Sequence, residues 1–318
     1  MSSILVTGGA GFIGSHLVNH LLDLGHQVHV IDDFNDFYDA RIKEQNLQEA
    51  ASHSNFTLHR ADICDVEGIA ALFRQHRFQI VAHLAARAGV WLSLERPLLY
   101  QQVNIQGTLN LLEQARHHDV EKFIFASSSS VYGNNKKVPF SEDDPVDYPI
   151  SPYAATKRAG ELLCHTYHHL YKMPIFCLRF FTVYGPRNRP DLAIYKFSKN
   201  IYHGDPIDVF GDGSMQRDFT YIGDIIDGVL RAIDKCNGYR IYNLGESRPV
   251  KLGDLIAAIE RTVGKQAKIN RKSMQPGDVT RTYADVSRAS SELGYNPTTE
   301  IGAGLEKFWK WYLQTHRD

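Results

Sequence analysis

Ser3-Ile-Leu-Val-Thr-Gly-Gly-Ala-Gly-Phe-Ile-Gly14 sets three features in a row: an apolar run, a glycine cluster and the start of an apolar-periodic segment. Ser3 to Thr7 reads as a short buried strand, and the periodic segment as a helix to about Leu24. Gly8, Gly11 and Gly14 permit a tight turn, a close approach of backbone to a pyrophosphate, and close packing of helix on strand. The helix N-terminus then offers free N–H groups and a positive dipole end to the phosphates. Strand, glycines and helix in that order predict a dinucleotide site lined by Gly8, Gly11, Phe12, Ile13 and Gly14.

The following segments extend the same pattern. Gln27 to Ile31 is the next strand and ends in Asp32-Asp33. Asp32 lies 18 residues beyond Gly14, where a carboxylate accepts hydrogen bonds from the adenosine ribose and repels the extra phosphate of NADP, so NAD is the expected cofactor. Asp33 fits a helix N-cap. Phe56 to Arg60 is a third strand, followed by Asp62 and Ile63, which are expected near the adenine. Ile80 to Ala85 is a fourth, and the small Ala85 and Ala86 let a cofactor lie against the backbone. A helix containing Asn104 and Gly107 leads to a fifth strand, Lys122 to Ala126. Strands alternating with helical patterns of about 10–15 residues predict an α/β fold with a Rossmann-type doubly wound parallel sheet.

The chain has 318 residues, 43% hydrophobic and 22% charged, enough for one large domain or two smaller ones. Residues 1–179 form the expected cofactor domain, with 219–246 packing back onto it. Residues 180–218 and 247–318 carry more Pro, Gly, Tyr and charge and are assigned to a smaller α/β substrate domain. The net charge of -1, with no basic run, gives a nucleic-acid partner no electrostatic support. Cys64, Cys164, Cys177 and Cys236 have neither disulfide-like nor metal-ligand spacing; no metal site is expected, and a reducing, cytoplasmic location is. The apolar run after Met1-Ser-Ser is too short for a signal peptide or a membrane span, so no membrane partner is expected.

The fifth strand runs into Ser127-Ser-Ser-Ser-Val-Tyr-Gly133. In this fold ligands sit at the carboxyl ends of strands, so these hydroxyls are expected to face the nicotinamide. Tyr153-Ala-Ala-Thr-Lys157 follows. Tyr153 and Lys157 fall one turn apart on one helix face, where the ammonium favours the ionised phenol. Such a phenol can act as general base toward an alcohol hydroxyl.

Gly8-x-x-Gly11-x-x-Gly14, the Ser128 run and Tyr153-x-x-x-Lys157 together resemble an extended short-chain dehydrogenase/reductase, over essentially the whole chain. Leu178-Arg-Phe-Phe-Thr-Val-Tyr-Gly-Pro186 and Arg217-Asp-Phe-Thr-Tyr221 resemble its nucleotide-sugar branch. Phe34-Asn-Asp-Phe-Tyr-Asp39 and Arg187-Asn-Arg-Pro-Asp191 resemble the UDP-glucuronate 4-epimerases. The resemblance implies Ser128 as the catalytic hydroxyl, Tyr153 as the base and Lys157 as its partner, with Lys157 also on the nicotinamide ribose. It further implies that Arg217 and Arg281 hold the diphosphate, Asp278 the ribose and the Val209 loop the uracil, while Thr182 and Arg189 meet the sugar.

Related dehydratases carry an acidic pair just after their catalytic threonine, and related decarboxylases a glutamate before Val-Tyr-Gly. Here those positions are Ser129 and Ser130, which cannot deliver an eliminating proton as a carboxyl group can. Reversible oxidation at C4 of a UDP-sugar is the reaction implied, with UDP-glucuronate as substrate. One residue departs from that pattern: Trp91 stands where glucuronate epimerases usually have arginine, with Arg87 four residues earlier as a substitute. Two alternatives stay open, a UDP-glucose or UDP-N-acetylglucosamine 4-epimerase and a non-catalytic NAD-binding sensor. Relatives dimerise through the helices following strands four and five, so a homodimer is expected.

Overall fold

The computed structural model describes residues 1–273 and 281–316. Among them, seven strands form one sheet in the order β10-β6-β5-β4-β1-β2-β3. These are β1 (Ser3–Thr7), β2 (Gln27–Asp32), β3 (Phe56–Arg60), β4 (Ile80–His83), β5 (Lys122–Ser128), β6 (Ile175–Phe180) and β10 (Tyr239–Leu244). The helices between them are α1 (Phe12–Asp23), α2 (Ala40–Asn46), α3 (Val66–Gln75), α4 (Val90–Glu95), α5 (Pro97–Gln101), α6 (Gly107–His117) and α7 (Pro152–Tyr171). Ile4 pairs in parallel with Val28 on one side and Ile80 on the other, and Val81 with Phe123. Such strands must be apolar on both faces because helices cover both, and Ile4, Leu5, Val6, Val81, Ala82 and Phe123 are fully buried. The doubly wound sheet expected from the sequence is the sheet observed.

Three strand ends differ from the expected ones: β2 runs on to Asp32 and β5 to Ser128, while β4 is shorter. β4 stops at His83 rather than Ala85, because Leu84 N donates to Thr7 O and Ala85 N turns to Thr7 Oγ1. Asp33 does not cap a helix. It accepts from Asn35 N in a short turn, and α2 is capped by Asp39, which accepts from Arg41 N. The helix expected around Asn104 begins as a wide π-helical turn over Gln102–Gln106 before α6.

The chain divides into two compact units. The first comprises Met1–Asn134, Asp144–Arg179 and Gly228–Tyr242, and the second Asn135–Asp143, Phe180–Asp227 and Asn243–Asp318. Of the expected return segment 219–246, residues 228–242 thus group with the first unit and the flanks with the second. The second unit holds β7 (Thr182–Tyr184), β9 (Gln216–Tyr221) and β11 (Pro249–Lys251) in one small sheet, and β8 (Pro206–Phe210) with β12 (Lys268–Lys272) in another. Its helices α8 (Ala193–His203), α10 (Leu252–Val263) and α11 (Ile301–Thr315) enclose a core of Tyr184, Ile207, Phe219, Leu255, Ile259 and Phe308. The remaining helix, α9 (Ile222–Lys235), precedes β10.

The glycine turn after β1 is the tightest point of the first unit. A Cβ at Gly14 would overlap Gly8 O and lie 2.8 Å from Gly9 Cα, and neither is a side chain able to move aside. Gly14→Ala is therefore expected to lower Tm and abolish dinucleotide binding. Gly302→Ala, where a Cβ meets nothing within 4 Å, should leave Tm unchanged or raise it. Paired melting curves and a nucleotide titration check this.

Candidate active site

The loop Gly8–Gly14 brings the end of β1 against the end of β4. Gly8 has φ +69, and a Cβ there would fall 2.7 Å from Ala85 N. Gly11 caps α1 with no side chain over the first turn, which leaves its N–H groups open to an anion. Phe12 is buried and Ile13 half-buried. At the end of β2 the buried Asp32 accepts from Lys43 Nζ at 2.8 Å and Phe34 N at 3.0 Å through one oxygen. Its other oxygen accepts from Ala10 N at 3.2 Å. Lys43 is a partner that sequence reading missed: it is buried and also lies 3.6 Å from Asp33. Asp62 turns back to accept from Cys64 N, and Ile63 O accepts from Asn110.

A chain of polar side chains orders the strand ends. Thr108 Oγ1 donates to Asn104 O at 2.6 Å, so toward His83 Nε2, 2.9 Å away, it can only accept. His83 therefore carries its proton on Nε2, and Nδ1 accepts from Thr7 Oγ1 at 2.7 Å. Burial pushes His83 down to about 3, with the nearby Lys157 charge adding to the effect. Asn104 then clamps Arg87 through both its N–H and its carbonyl and donates to Thr156 on α7 at 3.0 Å. Arg87 itself reaches Asn35 Oδ1 at 2.9 Å and Asp33 at 4.0 Å. Its guanidinium is held by the loop after β2.

Helix α7 starts from two local signals. Ser151 accepts from Ala154 N and Pro152 occupies the first turn. Tyr153 packs edge-on against Tyr100 at 6.2 Å. One turn on, Lys157 is 4% exposed, donates to Ala126 O at 2.7 Å and lies 5.2 Å over the Phe125 ring. Burial brings its pKa down to about 8. Ala126 and Ser128 share β5, so Lys157 is anchored to the strand end that carries the Ser128 hydroxyl.

The serines alternate as strand residues must. Ser127 donates to Glu161 Oε1 at 2.7 Å, whereas Ser128 Oγ accepts from Ser130 N and lies 3.2 Å from Ser130 Oγ. Glu161, two turns after Tyr153, is 0% exposed and grips the buried Arg179 as a fork at 2.8 and 2.9 Å. Neither residue was singled out from the sequence, because a carboxylate in a helix and an arginine in a strand reveal no pairing until folded.

The second unit carries the expected sugar-nucleotide residues. Arg217 lies on β9 and donates to Gln216 O. Gln216 forms an isolated bridge with Arg281, whose guanidinium sits 5.4 Å from the Tyr283 ring, so Arg217 directly follows the residue that pairs with Arg281. Thr182 pairs with Phe219 at the start of β7. Arg189 forks onto Asp191 at 2.9 and 2.7 Å. Burial pushes the Asp191 carboxyl up, but Arg189 outweighs that and leaves it below its ordinary value. Val209 lies on β8, where alternation turns its side chain into the core beside Ile207. Asp278 lies outside the described residues. Asp218, which sequence reading passed over, is fully buried and accepts from Glu246, Ser247 and Ala284 N–H groups.

The model of the GDP-mannose 4,6 dehydratase family matches residues 5–308. The chain belongs to the GDP-mannose 4,6 dehydratase family. It is 45% identical over 312 residues to the UDP-glucuronate 4-epimerase of Thermodesulfobacterium geofontis, covering 98% of this chain and 96% of that one. The crystal structure of UDP-glucuronic acid 4-epimerase from Bacillus cereus in complex with UDP-glucuronic acid and NAD matches with TM-score 0.93 at 40% identity, covering 99% and 100% of the two chains. The Thermotoga maritima UDP-glucose 4-epimerase with UDP-glucose matches with TM-score 0.91 at 33% identity, over 98% and 99%. These relatives are named for epimerisation, in line with a strand-five end that carries hydroxyls after Ser128.

Replacing Glu161 by Gln would leave Arg179 buried without a counter-charge. The expected loss is about 3–5 kcal/mol, measured by denaturant unfolding. Glu161→Met combined with Arg179→Leu should recover much of it.

Proposed function

We propose that the protein is an NAD-dependent UDP-sugar 4-epimerase whose preferred pair is UDP-glucuronate and UDP-galacturonate. The observation that carries this reading is Lys157, one turn after Tyr153, anchored to the strand end that carries Ser128, with serines, not carboxylates, at 129 and 130.

The residues present fit NAD. Gly11 leaves the first turn of α1 uncapped by any side chain, Gly8 closes on Ala85 without a side chain, and Asp32 has used three of its roughly four acceptor positions. Gly8–Gly14 would hold the pyrophosphate, Asp32 the adenosine ribose, and Tyr153 with Lys157 the nicotinamide ribose. When bound, NAD supplies a hydride acceptor that can return the hydride. Tyr153 takes the proton from the C4 hydroxyl, the Lys157 ammonium favours the phenolate by charge, and Ser128 hydrogen-bonds the reacting oxygen. The 4-keto sugar then turns and is reduced on its other face, with Tyr153 returning the proton. Arg217 and Arg281 hold the diphosphate, and Arg189 with Thr182 meets the C6 carboxylate.

The second reading keeps the chemistry and makes the sugar neutral. It is favoured by the Arg189 fork already resting on Asp191 and by Trp91, 42% exposed on α4. We also propose a homodimer through α6 and α7, where Leu162 and Leu170 are 52% and 59% exposed. A reducing, cytoplasmic setting is proposed from the four free thiols. Among the described residues no helix is long and apolar enough to cross a membrane.

Incubation with a panel of UDP-sugars, followed by NMR of the products, tests the activity. Tyr153→Phe should retain NAD and lower kcat by at least about 10²-fold; near-normal turnover would move the base elsewhere. Wild type should favour UDP-glucuronate over UDP-glucose. Arg189→Ala should lower kcat/KM for UDP-glucuronate by about 10–100-fold, the scale of a lost charged hydrogen bond, and spare UDP-glucose. Equal losses on both would assign Arg189 to Asp191 alone and make the neutral sugar the substrate.

A further inference from the structure

Three histidines that the reaction does not use meet under α3. His29 lies on β2, His59 on β3, and His76 caps the C-terminus of α3. Strand register explains the first two. His29 pairs with Thr57 and Ile31 with His59, so the two imidazoles stand diagonally on one face of neighbouring strands. The third arrives as α3 ends, where His76 N donates to Leu72 O. Phe78 closes one side, its ring 5.2 Å from that of His29.

The distances are those of a ligand set. His29 Nδ1 lies 3.0 Å from His59 Nε2, and one nitrogen from each of the three rings lies within 4.8 Å of the others. Nitrogens held about 2.0–2.1 Å from a tetrahedral ion stand about 3.3–3.4 Å apart. The His29–His59 pair needs to open by only a few tenths of an ångström, and the His76 ring already lies 4.6 and 5.3 Å, centroid to centroid, from the other two.

We propose that His29, His59 and His76 bind one divalent transition-metal ion of the zinc class, with a fourth position left to water. Three imidazoles suit zinc, cobalt, nickel or copper and not magnesium or calcium, which prefer oxygen. The C-terminal end of α3 turns its negative dipole end toward the cation. Metal ligation needs neutral imidazole. Burial pushes His29 down to about 4, with the other two rings adding to it, and burial lowers His59 as well. His29 is 3% exposed, while His59 and His76 are half-buried and form the way in. A bound ion would tie the end of α3 to β2 and β3.

The full-length protein, stripped with a chelator and dialysed, is titrated with Co2+ alone and then with Zn2+ alone. One ion per chain is expected, with the visible bands of tetrahedral cobalt, their loss on adding Zn2+, and a rise in Tm. His59→Gln and His76→Gln should each weaken Zn2+ binding by at least about tenfold and leave the metal-free Tm near that of wild type. His165→Gln with His169→Gln, a stacked pair on α7, should leave binding unchanged. Absence of the cobalt bands, or zinc binding equal in wild type and the His59→Gln/His76→Gln double variant, would overturn the site and reduce the three rings to a hydrogen-bonded aromatic cluster.

Discussion

A lysine ammonium taken out of water has to find its stabilisation within a few ångströms, and Lys157 meets that demand with few partners. Ala126 O accepts one hydrogen bond, the Phe125 face supplies a weak cation–π contact, and Glu161 lies one turn on. That carboxylate is already shared among Arg179, Arg158 and Ser127, so it returns to Lys157 less than burial removes, and the pKa settles near 8. The arrangement holds only if α7 lies hard against β5. Gly160 allows it, since a Cβ there would overlap the Phe125 ring. Tyr153, Lys157, Gly160 and Glu161 thus form one stripe whose spacing on the helix answers the spacing of side chains on the strand.

The same economy governs the polar interior beside it. Thr7, His83, Thr108, Asn104 and Thr156 pass hydrogen bonds in a single direction, and reversing any one would set two donors or two acceptors face to face. A neutral His83 is a condition of that order. An imidazolium there would add a second buried cation near Lys157 and would break the bond from Thr7.

The central sheet was legible because its strands are short apolar runs separated by helical periodicity, and β1 and β3 have the very limits their sequences imply. What escaped sequence reading depended on contacts between distant residues. The π-helical turn before α6 carries no breaker that separates it from an ordinary helix start. Residues 135–143 group with the second unit because Phe140 pairs with Tyr283 and Asp285, a partnership more than a hundred residues away. In the site, Tyr153, Lys157 and Ser128 announce themselves by spacing and by position at a strand end. Lys43, Glu161, Arg179 and Asp218 look like surface charges in sequence and prove to be buried anchors. Val209 reads in sequence as part of a loop and lies on β8, whose alternation turns its side chain inward.

The depth of Lys157 has a consequence for ionic strength. Salt screens charges that face solvent over a Debye length of about 8 Å in physiological media and reaches buried ones far less. Arg281 is exposed and Arg217 half-buried, so an anionic ligand held by them competes with dissolved ions, whereas the Lys157 ammonium does not. On the proposed roles of these residues, added salt acts on capture of the nucleotide and raises KM, while a proton transfer beside the buried Lys157 keeps its kcat.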